Sequence, residues 1–476
     1  MAADDTPRKS WREAVAAYLH ARVIGMLFLG FSAGLPFLLV FTTFQFWLAE
    51  SGYDPKTIAF VTWIGIAYSI KVFWAPVVDR LRLPYLTRRL GRRRSWLLVA
   101  MIGIAVGLAG MAATDPKVDL GTMALFALLV AFSSATQDIA LDAYRIEAVD
   151  RDLQGAMAAT YQLGYRLAVL MAGAGALYIA EYASWFAAYA TMASLTAVGI
   201  VTVLIVREPD VVRDTEAYKR EARVVAFLEK SHAMPALLRG AIAWFIGAVV
   251  CPFLDFFARK GSVAIVILIF ITLFRVSDIT LGSMATKFYF DVGFTKTEVA
   301  NVTKIFGFFM TIAGAFTGGT LVARFGIMRP MLAAGILISV GSLSFALLAL
   351  AGHDLGLLTF VISLDNFAGG IAGSVFIAYL SSLTSAQYTA TQYALFSSLM
   401  TLTGKIIGGF SGVVAENLGL VVQGGKVLNV EAYANFFVYS AAVGIPAILL
   451  ILYLMRVASA DKRTEPAPAA AKSAAE

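Results

Sequence analysis

Several apolar runs in this chain are too long and too free of charge for a soluble domain. Val23–Ala49, Ser95–Thr114, Tyr182–Val206, Pro330–Gly352 and Ala432–Met455 contain no Asp, Glu, Lys or Arg. A helix needs about 20 apolar residues to cross a hydrocarbon core roughly 30 Å thick. A helix also satisfies every backbone N–H and C=O within its own segment, which the bilayer core demands. Other stretches reach spanning length by including a charge, as Thr57–Val78 does with Lys71 and Leu153–Ala180 with Arg166. Composition agrees: 14% of residues are charged, against roughly a quarter in a soluble domain. The expected fold class is an all-α, multi-pass membrane protein.

Twelve spans are expected, at about 23–49, 57–78, 95–114, 120–146, 153–180, 182–206, 262–290, 297–323, 330–352, 356–384, 389–416 and 432–456. Loop charges orient them. Arg8, Lys9, Arg12 and Arg22 precede span one, and seven arginines from Arg80 to Arg94 join spans two and three. Arg207–Lys230 and the Arg324/Arg329 pair fall on the same side, while the other side holds little beyond Lys56, Lys117, Lys296 and Lys426. The positive-inside rule makes both termini cytoplasmic. Met1–Arg22 is polar and basic and the run after it exceeds a signal-peptide core, so span one is read as a retained helix. Gly240–Leu254 is charge-free but short and holds Pro252; it is read as interfacial or re-entrant.

The organisation follows: a six-helix half at 1–206, a cytoplasmic linker at 207–261, a second six-helix half at 262–456, and a disordered tail at 457–476. The halves echo each other. ESGYDPKTIAFV at Glu50–Val61 aligns with DVGFTKTEVANV at Asp291–Val302, and Arg166 in span five has a counterpart in Lys405 of span eleven. Paired repeats around a linker are a secondary-transporter design. Other classes have less support. The single Cys251 leaves no disulfide, and three histidines show no metal or triad spacing, so no catalytic residue, metal or cofactor is expected. The net charge of +7 suits basic loops and gives no sign of nucleic-acid binding.

Charges inside spans are costly and mark pathways or ion pairs. The first half holds Lys71, Asp138, Asp142, Arg145 and Arg166; the second holds Arg275, Asp278, Lys304, Asp365 and Lys405. Asp138, Asp142 and Arg145 share one helical face. Two readings stand. Carboxylates in a low-dielectric space can load and release protons, with Asp138, Asp142 and Asp278 as candidates; Lys71, Arg166, Lys304 and Lys405 would then bind anionic groups of a solute. Alternatively, Asp142–Arg145 and Arg275–Asp278 are pairs that lock helices. Tyr161, Gln162, Tyr165, Asn366, Gln392 and Tyr393 add hydrogen-bonding groups suited to hydroxyls and amides. Gly30, Gly34, Gly103, Gly107, Gly110, Gly369, Gly370 and Gly373 have close-packing spacings. Gly173, Gly175, Gly408, Gly409 and Gly412 are possible bending points, and Pro36 predicts a kink or break in span one.

Asp79-Arg80 followed by Gly91-Arg92-Arg93-Arg94 resembles the cytoplasmic signature of the major facilitator superfamily, with Leu81–Leu90 inserted between its elements. GFSAGLP at Gly30–Pro36, KVFWAPVVDR at Lys71–Arg80, GRRRSW at Gly91–Trp96, SATQDIALDA at Ser134–Ala143, GYRL at Gly164–Leu167 and ATQYA at Ala390–Ala394 narrow the match. Together they resemble the AmpG family of muropeptide permeases over nearly the whole chain. The resemblance implies a proton-coupled, monomeric importer in the bacterial inner membrane. Its substrate would be N-acetylglucosaminyl-1,6-anhydro-N-acetylmuramic acid, with or without peptide, taken in for cell-wall recycling. Asp79, Arg80, Arg92, Arg93, Arg94 and Arg145 would gate the cytoplasmic side. The same branch resembles acetyl-CoA transporters, so an organic-anion carrier is the alternative. A membrane sensor or lipid scramblase on the same fold is a more distant one.

Overall fold

The computed structural model describes residues 10–53, 57, 62–210, 246, 250–423 and 426–464. Its strands, among the described residues, form one two-residue hairpin pairing Val422–Gln423 with Lys426–Val427; helix supplies the rest of the regular structure. Among the described residues, ten helices are long and apolar enough to cross a membrane: Ala21–Glu50, Arg92–Ala113, Leu120–Glu147, Arg151–Tyr182, Trp185–Ile205, Val263–Val292, Thr297–Phe325, Met328–Ala351, Leu355–Leu383 and Val430–Val457. They correspond to expected spans one, three to ten and twelve. The eleventh is Thr389–Gly409 followed by Ser411–Asn417.

The second span is broken. Its described pieces are Thr62–Gly65, Ile66–Ser69, Lys71–Phe73 and Ala75–Arg80. Pro76 lies in the first turn of the last piece, where its missing N–H costs nothing, whereas within a continuous helix it would interrupt the ladder. The break leaves Lys71 on a short turn facing span four. Span one departs from expectation in another way: its helix runs through Pro36 to Val40 and is interrupted at Phe41. The expected re-entrant segment is described at 246 and from 250 on, and its end opens the helix Cys251–Lys260. The last helix continues to Thr464, past the expected limit of the second half at 456.

Packing within each half depends on close helix crossings. A Cβ on Gly30 or Gly34 of span one would strike the Tyr161 or Tyr165 carbonyl of span five, and one on Gly164 would strike the Leu27 carbonyl. Spans eight and ten repeat this, with Gly314 against Phe367 and Gly370 against Thr311. Buried apolar clusters fill each half, and Ala390 and Ala394 of span eleven are buried in a first-half cluster with Leu141 and Tyr144. The helix widens into π turns at Met171–Gly175 in span five and Ala300–Phe306 in span eight. Such turns often accompany functional sites, and the first contains both Gly173 and Gly175. Span four starts cleanly because Asp119 accepts bonds from the Thr122 amide (2.9 Å) and hydroxyl (2.6 Å). The hydroxyl and then the amide hold the Asp119 carboxyl below its usual range.

Candidate functional site

Mid-span charge gathers where span two breaks. Lys71 Nζ lies 3.4 Å from Asp138 Oδ2, and their side chains remain 15% and 21% exposed. The Trp74 indole donates to Thr136 Oγ1 (3.2 Å) and fixes the broken segment against span four. One turn on, Asp142 accepts from Arg145 at 3.4 Å. Tyr161 and Tyr165 of span five, with ring centres 5.9 Å apart, lie within the electrostatic reach of Asp138. This arrangement offers a proton-accepting carboxylate, a cation and two phenols around one space.

Across the seam the second half supplies its own charges. Arg275 and Asp278 form a close ion pair, and Asp365 of span ten feels both. Arg166 of span five is exposed, has no hydrogen bond or ion pair among the described residues, and is close enough to Arg275 to interact with it. Two guanidinium groups from opposite halves suit a carboxylate or phosphate, which the planar fork binds bidentately. The side chains of Lys304 and Lys405 lie outside the described residues.

Other expected solute ligands are already engaged. Asn366 accepts from Thr311 (2.9 Å) and donates to the Ile362 carbonyl (3.0 Å), joining spans eight and ten. Gln162 donates to Ser374 Oγ at 3.0 Å, from one half to the other. Gln392 sits at the arginine-rich end, not beside Lys71. Its Oε1 accepts from the Ser385 amide (2.8 Å) and from Arg259 (3.1 Å). Its Nε2 donates to the Pro252 carbonyl (2.8 Å) and to Asp255 (3.1 Å). Tyr393 is buried beneath the Arg145 guanidinium, 5.1 Å from its ring centre.

The arginine-rich end is a dense, dry lock. Asp79 accepts from Arg93 (2.8 Å), and its other oxygen accepts from both the amide and the hydroxyl of Thr391 (2.7 Å each); the Ala390 amide adds a 3.3 Å bond. The carboxylate thus caps the N-terminus of span eleven, where unpaired N–H groups and the helix dipole favour a negative charge. Arg93 also binds Glu147 at 2.9 and 2.5 Å. Glu208 performs the same service for span three, accepting from the Arg93 and Arg94 amides at 2.8 and 3.0 Å. Arg94 donates to the Val203 and Leu204 carbonyls (2.7 Å each), Arg92 bonds the Asp79 carbonyl, and Arg80 is partnered too. Arg145, fully buried, reaches the opposite half at Ser381 Oγ (2.9 Å).

Further contacts between the halves lie toward this end. The Tyr18 hydroxyl donates to the Phe316 carbonyl (2.8 Å), and Gly155 and Gly319 meet backbone to backbone. This conformer is therefore closed at the arginine-rich end. The sequence gives no sign of the partners Ser381 and Glu208; Thr391 lies in the ATQYA stretch, as the third residue of the helix that begins at Thr389.

Residues 26–409 match the family described as Major Facilitator Superfamily. A Rickettsia conorii protein named as a transporter, AmpG 4, is 32% identical over 435 residues, covering 91% of this chain and 96% of that protein. The anhydromuropeptide permease of Escherichia coli K12 is 34% identical over 429 residues, covering 90% of this chain and 78% of that protein. Among solved structures, the Escherichia coli fucose:proton symporter FucP aligns with a TM-score of 0.60 at 13% identity, covering 94% of this chain and 99% of that one. The proton:xylose symporter XylE aligns at 0.59 and 14%, covering 93% and 96%. At those identities the structural likeness speaks for the fold.

Proposed function

The chain belongs to the AmpG family of the major facilitator superfamily, and we propose that it imports anhydromuropeptides by proton-coupled alternating access. It is a membrane transporter, not an enzyme. The halves 1–206 and 262–456 rock about the seam, with the linker 207–261 between them. The positive-inside rule assigns the arginine-rich end and both termini to the cytoplasm of a bacterial inner membrane. The lock around Asp79 then seals the cytoplasmic side, and solute loads from the opposite one. Asp138 takes a proton from that side, which neutralises it and releases Lys71. The freed ammonium, with Arg166, receives carboxylates of the muropeptide, while Tyr161 and Tyr165 meet sugar hydroxyls and acetamides. Lys304 and Lys405 would serve the second half, and Asp142 or Asp278 could carry the proton in place of Asp138. A monomer suffices for this cycle.

The observation that carries this reading is the partly exposed Lys71–Asp138 pair on a broken helix. It occurs in a chain one-third identical to a protein named anhydromuropeptide permease. The test is uptake of labelled anhydromuropeptide into proteoliposomes under an imposed pH gradient, with Asp138→Asn beside wild type. Accumulation that ignores both the gradient and the substitution would refute the coupling. A second reading, transport of an organic anion such as acetyl-CoA, draws on the proximity of Arg166 and Arg275. The same vesicles offered acetyl-CoA separate the two.

A further inference from the structure

The linker ends in a ten-residue helix, Cys251–Lys260, built with two faces. Cys251, Asp255 and Phe256 point inward, and the Phe256 ring packs 5.1 Å from that of Phe396 in span eleven. Arg259 fixes the helix: it binds Asp255 (2.8 Å), the Leu383 carbonyl at the end of span ten (3.1 Å) and Gln392 (3.1 Å). On the opposite face Phe253, Leu254 and Phe257 are 37%, 55% and 38% exposed. This geometry suits a helix lying in the membrane interface, apolar face toward lipid.

Its C-terminal end carries Arg259, paired with Asp255, and Lys260, and Arg151 of the other half is close enough to Lys260 to interact with it electrostatically. Gly261 ends the helix and span seven begins at Val263, so Lys260 stands where the hydrocarbon begins. Arg151 begins span five, at the same end but in the other half. Among the described residues neither Lys260 nor Arg151 has a hydrogen bond or ion pair with an acid. Burial, then Arg259 and Arg151, push the Lys260 ammonium down to about 8. Crowded cations at headgroup depth call for an anion. We propose that Arg151 and Lys260, beside Arg259, hold the phosphate of an anionic phospholipid across the seam between the two halves. The acyl chains of that lipid cover Phe253, Leu254 and Phe257. A zwitterionic headgroup would bring its own cation into the cluster, and free phosphate would leave the apolar face uncovered. By joining Arg151 of the first half to Lys260 beside the second, the lipid favours the closed arginine-rich end, whatever solute is carried.

The test is native mass spectrometry of the full-length protein with an equal mixture of phosphatidylglycerol and phosphatidylcholine. Wild type should retain phosphatidylglycerol preferentially. Lys260→Gln and Arg151→Gln should each reduce that retention about fivefold, the value of one cation near an anionic headgroup. Arg456→Gln, an exposed cation at the end of span twelve, should leave it unchanged, as should excess inorganic phosphate. Equal retention of the two lipids, an equal loss in Arg456→Gln, or displacement by inorganic phosphate would each overturn the proposal. Arg151 is exposed, so its variant keeps the test decisive even if Lys260→Gln fails to fold.

Discussion

Asp79 and Asp138 are both carboxylates paired with a cation inside the bundle, yet their surroundings differ in every respect that sets an ion pair's role. Asp79 and Arg93 are 2% and 1% exposed, 2.8 Å apart, and each has further partners. Asp138 and Lys71 are 3.4 Å apart, partly exposed, and share one bond. A buried charge tolerates its desolvation only when hydrogen bonds occupy its remaining capacity, and removing one partner then strands the other. A more exposed, longer pair has little to lose when it opens. The first arrangement is a lock and the second a contact that can be made and broken. Charge inventory alone does not separate them; partner count and exposure do.

The comparison breaks if the lock can be dismantled cheaply. Asp79→Ala removes one of the two carboxylates on Arg93, which keeps Glu147, and uncaps the Ala390 and Thr391 amides of span eleven. It should cost about 2–4 kcal/mol, seen as a lowered unfolding midpoint in detergent. Spin labels placed across the arginine-rich end should report a wider separation. Next comes Gly155→Val. A Cβ there would lie 2.8 Å from both the Gly319 carbonyl and the Val322 Cβ of the other half, so span eight must move to admit it. The expected penalty on the closed conformer is about 1–3 kcal/mol, read as increased solvent labelling of cysteines introduced at the arginine-rich end.

The spans themselves were legible because hydrophobic length is a one-dimensional property that each segment carries alone. The small-residue spacings were legible for the same reason, and Gly30 and Gly34 do meet span five. What escaped was anything decided by a partner far along the chain. Asp79 reaches residues 311 and 312 positions away, so the resemblance suggested a gate but local pattern could not name its other side. Gln392 looked like a solute ligand because it is polar on an apolar helix; its amide is used by residues 137 and 140 positions earlier, in the linker helix. Pro36 signalled a disturbance in span one, but the interruption falls five residues later, at Phe41. In span two Pro76 was visible, while the exposure of Lys71 by the break depended on Asp138 in another helix.

Asp138→Asn sharpens the contrast from the other side. Removing a partly exposed pair should change stability by less than about 1 kcal/mol, although the residue lies deeper in its span than Asp79. The same variant should lose gradient-driven accumulation while still exchanging solute across the membrane. A variant destabilised as much as Asp79→Ala would make Asp138 a structural residue. Lys71→Met should retain less solute binding than Asp138→Asn, because it removes the proposed ligand and not its counter-ion; direct binding titration of the two variants checks the order.

The smallest effect is expected at Lys260, a cation with neither kind of partner. Its folded-state pKa is depressed to about 8 from the usual 10.5, through burial and then Arg259 and Arg151. Below about pH 8 the lysine is charged both folded and unfolded, and the folded state carries the full repulsion. Between about 8 and 10.5 the unfolded chain holds the extra proton, so stability rises with pH. Screening at this partly exposed site should keep the change within about 1 kcal/mol. Unfolding midpoints in neutral detergent should therefore climb slightly from about pH 7 to about pH 9.5, and Lys260→Gln should flatten the slope. Adding phosphatidylglycerol should flatten it in wild type too, because a phosphate beside the lysine restores its charge in the folded state. A slope that persists with that lipid but vanishes in Lys260→Gln would show a crowded lysine that no headgroup relieves.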